Sequence, residues 1–270
     1  MALGVALWLC PRQNTPLYDK LETLMGSLNT LFPGSPPRFE PHITISTNVA
    51  VDLEDADQTR KDVDKILSAS AVALNSLPKN HSNLVTLGKI DSQRKFFKKL
   101  YFEVSHDPNL MSLARILREL FVILPADIEA ENKKQNPQLY TSDGNGGTVR
   151  RKKSKKSRAR SSSSSDSEVP PKEFDTTAIQ QEAARKAAHW SAVEYDPHLS
   201  LVYSDIYPID KALWRTIKTR VQDYLNIDNC DSDELVDNGL GWDGGVFKLV
   251  LCEGDVRDWI VLGSVDVHSN

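Results

Sequence analysis

Apolar and polar residues alternate along this chain in two rhythms, and the rhythms mark its elements. Residues 2–10 are almost continuously apolar and predict a buried strand. A helix is expected over about 16–32, because Leu17, Leu21, Leu24, Leu28 and Leu31 recur on one stripe. Pro33, Pro36 and Pro37 end it. A strand follows at 42–51, and then a helix at about 53–77 with acidic residues in its first turn, where the helix dipole favours them. Strands at 84–90 and 96–105 precede a helix at about 108–121. Further on, the pattern predicts a helix at 175–190, a strand at 198–204 and a helix at 208–226 carrying Leu213, Ile217, Val221 and Leu225. Two strands, 246–252 and 258–267, come last. Helices and strands mix without strict alternation, which favours an α+β fold over a doubly wound sheet.

The rhythm breaks between Lys133 and Lys172, where apolar residues are scarce and Ser, Lys and Arg dominate. Such a segment buries too little surface to offset its ordering entropy, so disorder is expected for 133–172. Charge follows the same division. This segment holds 11 Lys or Arg against 3 Asp or Glu, a balance of +8. The whole chain carries −4, so the remainder carries −12. An acidic folded part argues against a broad nucleic-acid-binding face on it. The basic run Arg150–Arg160 could engage an import receptor or RNA, and Ser163 to Glu168 has the make-up of an acid-directed kinase site.

No apolar run approaches the roughly 18 to 20 residues needed to span a membrane. The three cysteines, Cys10, Cys230 and Cys252, are odd in number and far apart, so neither a disulfide framework nor a zinc ribbon is expected. That points to a reducing compartment, cytoplasmic or nuclear.

The chemistry sits in a phrase that occurs twice. Phe39-Glu40-Pro41-His42-Ile43-Thr44-Ile45 recurs as Tyr195-Asp196-Pro197-His198-Leu199-Ser200-Leu201. Both read aromatic, acidic, proline, histidine, apolar, hydroxyl, apolar. Residues two apart on a strand share a face, so each copy presents an imidazole beside a hydroxyl. Two facing copies would supply two proton-transfer groups, His42 and His198, and two phosphate-binding hydroxyls, Thr44 and Ser200. His189-Trp190-Ser191 also fits His-x-Ser, but it lacks the prefix and ends a predicted helix. No HxH or HExxH spacing accompanies either histidine, so a metal site is not expected. Gly239-Leu240-Gly241-Trp242-Asp243-Gly244 satisfies GxGxxG, yet it precedes a strand rather than a helix and reads as a turn. Tyr203 is a candidate stacking wall for a base or ribose, provided that the strand twists at its end.

The paired phrase resembles the two H-x-[ST]-x motifs of the 2H phosphoesterase superfamily. Ala6-Leu7-Trp8, Thr30-Leu31-Phe32-Pro33 and Pro197 to Ile206 make the chain similar to the fungal 2′,3′-cyclic-nucleotide 3′-phosphodiesterase (CPDase) family within it. The resemblance implies a single bilobal domain over 1–270, built from two pseudo-symmetric antiparallel-sheet lobes with outer helices around a central groove, and interrupted by the 133–172 insert. It implies a small-molecule cyclic phosphate substrate, no cofactor and no metal, with His42 and His198 catalytic and Thr44 and Ser200 on the phosphate. ADP-ribose 1″,2″-cyclic phosphate from tRNA splicing and nucleoside 2′,3′-cyclic phosphates are the implied substrates, and peripheral Golgi association is an alternative location. A monomer is expected. RNA-end processing, and nuclear binding through the insert, are the competing functional readings.

Overall fold

In a computed structural model, the described residues are 4–78, 83–142, 148–150, 172–205, 208–231 and 239–268. Eight strands form one antiparallel sheet in the order β10-β9-β1-β2-β7-β4-β3-β8. These are β1 (Gly4–Cys10), β2 (Ile43–Ser46), β3 (Val85–Asp91), β4 (Leu100–Val104), β7 (His198–Val202), β8 (Gly241–Trp242), β9 (Gly245–Cys252) and β10 (Ile260–Val267). β5 (Tyr140–Ser142) and β6 (Thr148–Arg150) pair separately. The two histidine strands, β2 and β7, are neighbours at the centre, and they meet through a single residue pair, Ile43 and Leu199. Each therefore sits on the inner edge of a four-strand half, β2-β1-β9-β10 or β7-β4-β3-β8. This matches the expected α+β fold with two related halves.

Side-chain alternation sorts the two faces of the sheet. Val5, Leu7, Leu9, Ile43, Ile45, Leu199 and Leu201 join the main core. The same core takes Leu21, Leu24 and Leu28 from helix α1 (Pro16–Asn29), Val63, Ile66 and Leu67 from α2 (Ala56–Asn75), and Leu110, Leu113 and Leu117 from α3 (Pro108–Arg118). Ile217, Val221 and Leu225 of α6 (Lys211–Leu225) complete it. On the other face Ala6, Trp8 and Cys10 form a smaller cluster with Val250 and Cys252. β1 is thus covered on both sides, which is why its sequence shows an unbroken apolar run rather than alternation.

Capping chemistry sets the helix starts. Thr15 accepts from the Tyr18 amide before α1, and Asp55 accepts from the Asp57 and Gln58 amides before α2, which begins three residues later than expected. Asp107 and Asp210 cap α3 and α6 in the same way. The first histidine strand is shorter than the expected 42–51: it ends at Ser46, and Asn48 turns the chain with φ 58°.

Two expectations need correction. After α3 the chain does not leave the helical state at 121. A π-helical turn (Glu119–Ile123) leads into α4 (Leu124–Gln135), which is polar in its second half and buries no residue. No apolar stripe could announce it. Pro125 starts it, and Asp127 pins it to Lys186 of α5 (Thr177–Val193) with contacts of 2.8 and 2.9 Å. For the same reason disorder does not begin at Lys133. Helix α4 runs to Gln135, and buried Tyr140 receives a hydrogen bond from Asn132. Buried Asn136 accepts from the Lys172 amide at 2.6 Å and donates to its carbonyl at 3.1 Å. That contact ties the two ends of the insert together. The rest of the expected disordered stretch, 143–147 and 151–171, lies outside the described residues, as does His81.

The GxGxxG stretch supplies a short edge strand as well as a turn. Gly241 pairs with Thr86, and a Cβ placed on it would lie 2.0 Å from the Val85 carbonyl oxygen. Only glycine fits this approach. Gly241→Ala is expected to detach β8 from β3 and to lower stability by about 1–3 kcal/mol, read by urea unfolding.

Candidate active site

The Glu-Pro-His and Asp-Pro-His prefixes build the same local structure twice. Proline has a fixed φ and holds the preceding residue extended, so the backbone doubles back on the histidine in one way. In the first copy Nδ1 of His42 lies 2.6 Å from the carbonyl oxygen of Glu40. In the second, Nδ1 of His198 lies 2.8 Å from the carbonyl oxygen of Asp196. A carbonyl only accepts, so each Nδ1 carries the hydrogen and each Nε2 is left for chemistry.

Strand register then arranges the four motif residues. Counting outward from the Ile43–Leu199 pair, His42 falls opposite Ser200 and Thr44 opposite His198. Each imidazole thus faces the other copy's hydroxyl, and the two imidazoles occupy a diagonal. Diagonal neighbours on a sheet are about 7–8 Å apart, enough to admit a tetrahedral group between their side chains. All four residues line one cavity of about 180 Å³, together with Ala6, Trp8, Thr47, Phe97, Tyr203, Cys252 and Trp259.

The neighbouring strands repeat the symmetry. Trp8 of β1 pairs across from Thr44 and stacks on His42, with centroids 3.7 Å apart and planes 10° apart. Tyr101 of β4 pairs across from Ser200 and meets His198 edge-on at 5.5 Å. The motif aromatics brace the opposite copy. Phe39 stacks on Tyr203 at 3.8 Å, while the Tyr195 hydroxyl donates to the Thr44 carbonyl at 3.3 Å. The aromatic position of the repeat therefore holds the two halves in register.

The symmetry is not complete. His42 is buried, whereas His198 is only partly buried. The Ser200 hydroxyl donates to the Phe97 carbonyl at 2.7 Å. Thr44 Oγ1 has no hydrogen-bond partner among the described residues, so it is the readier donor of the two. Burial lowers both histidine pKa values to about 4. The backbone carbonyl opposes this at each. The positive charges of His198 and Lys248 add to the lowering at His42, and those of Lys98 and Lys95 do so at His198. Both imidazoles are therefore neutral at pH 7 in the ligand-free protein.

Tyr203 follows the last residue of β7 and lines the cavity, so the strand end does bring it round. It is buried, and Phe39 covers one ring face. His189 lies on α5 with its Nδ1 3.9 Å from Glu194, remote from these residues in its contacts. The motif alone did not reveal Phe97 and Trp259. They come from a 3₁₀ turn (Phe96–Lys98) and from the residue just before β10, and no spacing in the sequence links them to either histidine. They also open the cavity to a basin of about 1120 Å³, which shares His198, Phe97, Tyr203 and Trp259 with it. Arg94, Lys95, Lys98 and Arg257 line this basin against Asp205 and Asp255, a positive balance on an acidic body. Among the described residues no three of His, Cys, Asp and Glu gather as a metal-holding group. No helix there is long and apolar enough to cross a membrane, and the three cysteines are free and buried.

Comparison with known proteins shows relatives along most of the chain. The family described as cyclic phosphodiesterase-like protein matches residues 1–142 and 164–267. A 2′,3′-cyclic-nucleotide 3′-phosphodiesterase of Candida albicans is 65% identical over 98% of this chain and all of its own length. The Debaryomyces hansenii protein of the same name is 67% identical over 91% of this chain and all of its own length. That of Yarrowia lipolytica is 35% identical over 98% of this chain, again along its full length. The match stops at Ser142 and resumes at Ser164, so the basic run lies outside it while both histidine phrases lie within. The chain belongs to the cyclic phosphodiesterase-like family.

Proposed function

We propose that this protein hydrolyses cyclic phosphodiesters, opening nucleoside 2′,3′-cyclic phosphates to 2′-phosphates and ADP-ribose 1″,2″-cyclic phosphate to the 1″-phosphate. The observation that carries the reading is the diagonal pair of imidazoles with a hydroxyl opposite each, on one cavity wall. The relatives' names support the nucleoside 2′,3′-cyclic phosphate part of it.

In the proposed reaction, water attacks phosphorus and the bond to the 3′ oxygen breaks. One imidazole takes the water proton through Nε2, and the other gives a proton to the leaving oxygen. Thr44 and Ser200 bind the non-bridging oxygens, Ser200 after turning its hydroxyl from the Phe97 carbonyl. His198 borders the wide basin, where water is at hand, and acts as the base. His42 acts as the acid, because the Trp8 face stabilises an imidazolium stacked on it. A phosphodiester anion between the rings raises both pKa values from about 4 towards neutrality, so the substrate itself creates the acid.

The basin supports the larger substrate. The cavity takes the cyclic phosphate, and the basic rim with its aromatic walls suits the diphosphate and nucleoside of ADP-ribose. Tyr203 serves as a wall for the sugar rather than a free stacking face. Linkage to tRNA splicing follows if that cyclic phosphate is the cellular substrate.

Product analysis tests the reading. A nucleoside 2′,3′-cyclic phosphate should yield the 2′-phosphate alone, at a rate unchanged by EDTA. A 3′-phosphate product would reverse the assigned leaving group. Loss of activity in EDTA, restored by zinc, would replace the two-histidine mechanism with a metal one.

A further inference from the structure

The acidic residue of the repeated phrase has no place in the reaction just described, yet both copies keep it and both bind it alike. Glu40 Oε2 meets Lys248 Nζ of β9 at 2.5 Å, and Asp196 Oδ2 meets Lys98 Nζ of the 3₁₀ turn in a close ion pair. In each case the carboxylate belongs to the residue whose carbonyl holds the histidine's Nδ1–H. The lysine therefore fastens the peptide that fixes the imidazole's tautomer. At Glu40 the hold is fuller, since Oε1 also receives the Tyr18 hydroxyl and the Gln13 side-chain amide, both at 3.2 Å. Both partners of this pair are largely buried, with side chains 14% and 17% exposed. Asp196 is 59% exposed, so its pair is the weaker of the two.

We infer that Glu40–Lys248 and Asp196–Lys98 are positioning pairs, which keep each histidine in its Nδ1–H tautomer and aim each Nε2 into the cavity. The inference rests on the catalytic reading of His42 and His198. The strand register supports it further. Lys248 pairs across from Trp8, the residue stacked on His42, so one lysine borders both the ring's stacking partner and the carboxylate behind it. Lys98 likewise lies 5.2 Å from the ring centroid of Tyr101, the aromatic edge-on to His198. An acidic residue two places before a histidine, with proline between, thus acts as an anchor for a backbone acceptor. Its carboxylate never touches the imidazole.

The charged groups acting on His42 are Glu40, Lys248 and His198. Those acting on His198 are Asp196, Lys98 and Lys95. Removing one member of a pair leaves the other uncompensated, so the two single variants should displace the histidine's titration in opposite directions. A purely structural pair would lower stability and shift the titration by charge alone, leaving the single tautomer and kcat unchanged.

The test uses Glu40→Gln, Lys248→Met, the double variant and Lys248→Arg. Steady-state rates on a nucleoside 2′,3′-cyclic phosphate are measured beside an NMR titration of the His42 imidazole nitrogens in the ligand-free protein. Glu40→Gln and Lys248→Met are each expected to lower kcat about 10- to 100-fold with KM little changed. The His42 pKa should fall in the first and rise in the second, and both should show a mixture of tautomers. Lys248→Arg should restore most of kcat and the single tautomer. The inference is overturned if both single variants keep the wild-type tautomer and kcat. It is equally overturned if Lys248→Arg behaves like Lys248→Met. A fully active His42→Asn enzyme would instead overturn the catalytic reading and leave the NMR result standing alone.

Discussion

Replacing either His42 or His198 with asparagine is expected to lower turnover of a nucleoside 2′,3′-cyclic phosphate by about 10²–10⁴-fold. Asparagine keeps a hydrogen-bonding side chain of similar reach, so the Glu40 and Asp196 carbonyls retain a donor. What disappears is the group that can hold a proton at one moment and release it at the next. The double variant should be little worse than the worse single one, because residues that act as a unit are not additive. Thr44→Val and Ser200→Ala should be milder, since each removes one donor from an otherwise intact cavity. Wild-type turnover by either histidine variant would remove that residue from the mechanism.

The expectation about the site rests on a pattern that was legible in the chain. The repeat placed an imidazole and a hydroxyl on one face, and β2 and β7 are indeed adjacent. Its prefix meant more than could be read locally. The aromatic braces the opposite copy, the proline folds the histidine back on a carbonyl, and the acid receives a lysine from elsewhere in the sheet or from the 3₁₀ turn. The proline's role is local, but those of the aromatic and the acid depend on residues distant in sequence, so no local window contains them.

Other features were hidden for related reasons. Trp8 lies within an apolar run whose two faces are both buried, and that masks which side it serves. Trp259 reaches the cavity only because β10 returns beside β9 after the loop at 253–259. Helix α4 has no apolar face, and ion pairs and its place beside α5 hold it. Lys133 to Ser142 therefore looked like the start of a disordered run, although Tyr140 and Asn136 are buried. Composition averages over a segment, whereas two well-placed side chains suffice to order its ends.

Acidification is expected to destabilise the ligand-free protein before most carboxylates titrate, and the two histidines are the cause. In the folded state both have pKa values of about 4. In the unfolded chain a histidine titrates near 6.5. Between these values the unfolded chain binds protons that the folded one refuses, so stability falls as pH drops. Each histidine's contribution is complete above about pH 6.5 and is lost as pH falls through about 4. At about 1.4 kcal/mol per pH unit, the loss approaches 3 kcal/mol for each ring. Urea unfolding between pH 7 and pH 4 should show this slope. His42→Gln should remove about half of it, because glutamine does not titrate and the other groups are common to both proteins. The variant should therefore gain on the wild type as the solution is acidified, whatever their order at pH 7. Inorganic phosphate in the cavity should flatten the wild-type slope too, since an anion between the rings raises both folded-state pKa values towards the unfolded one. Parallel pH dependence in wild type and His42→Gln would show that His42 is not held neutral by burial. The substrate's own charge would then not be what creates the catalytic acid.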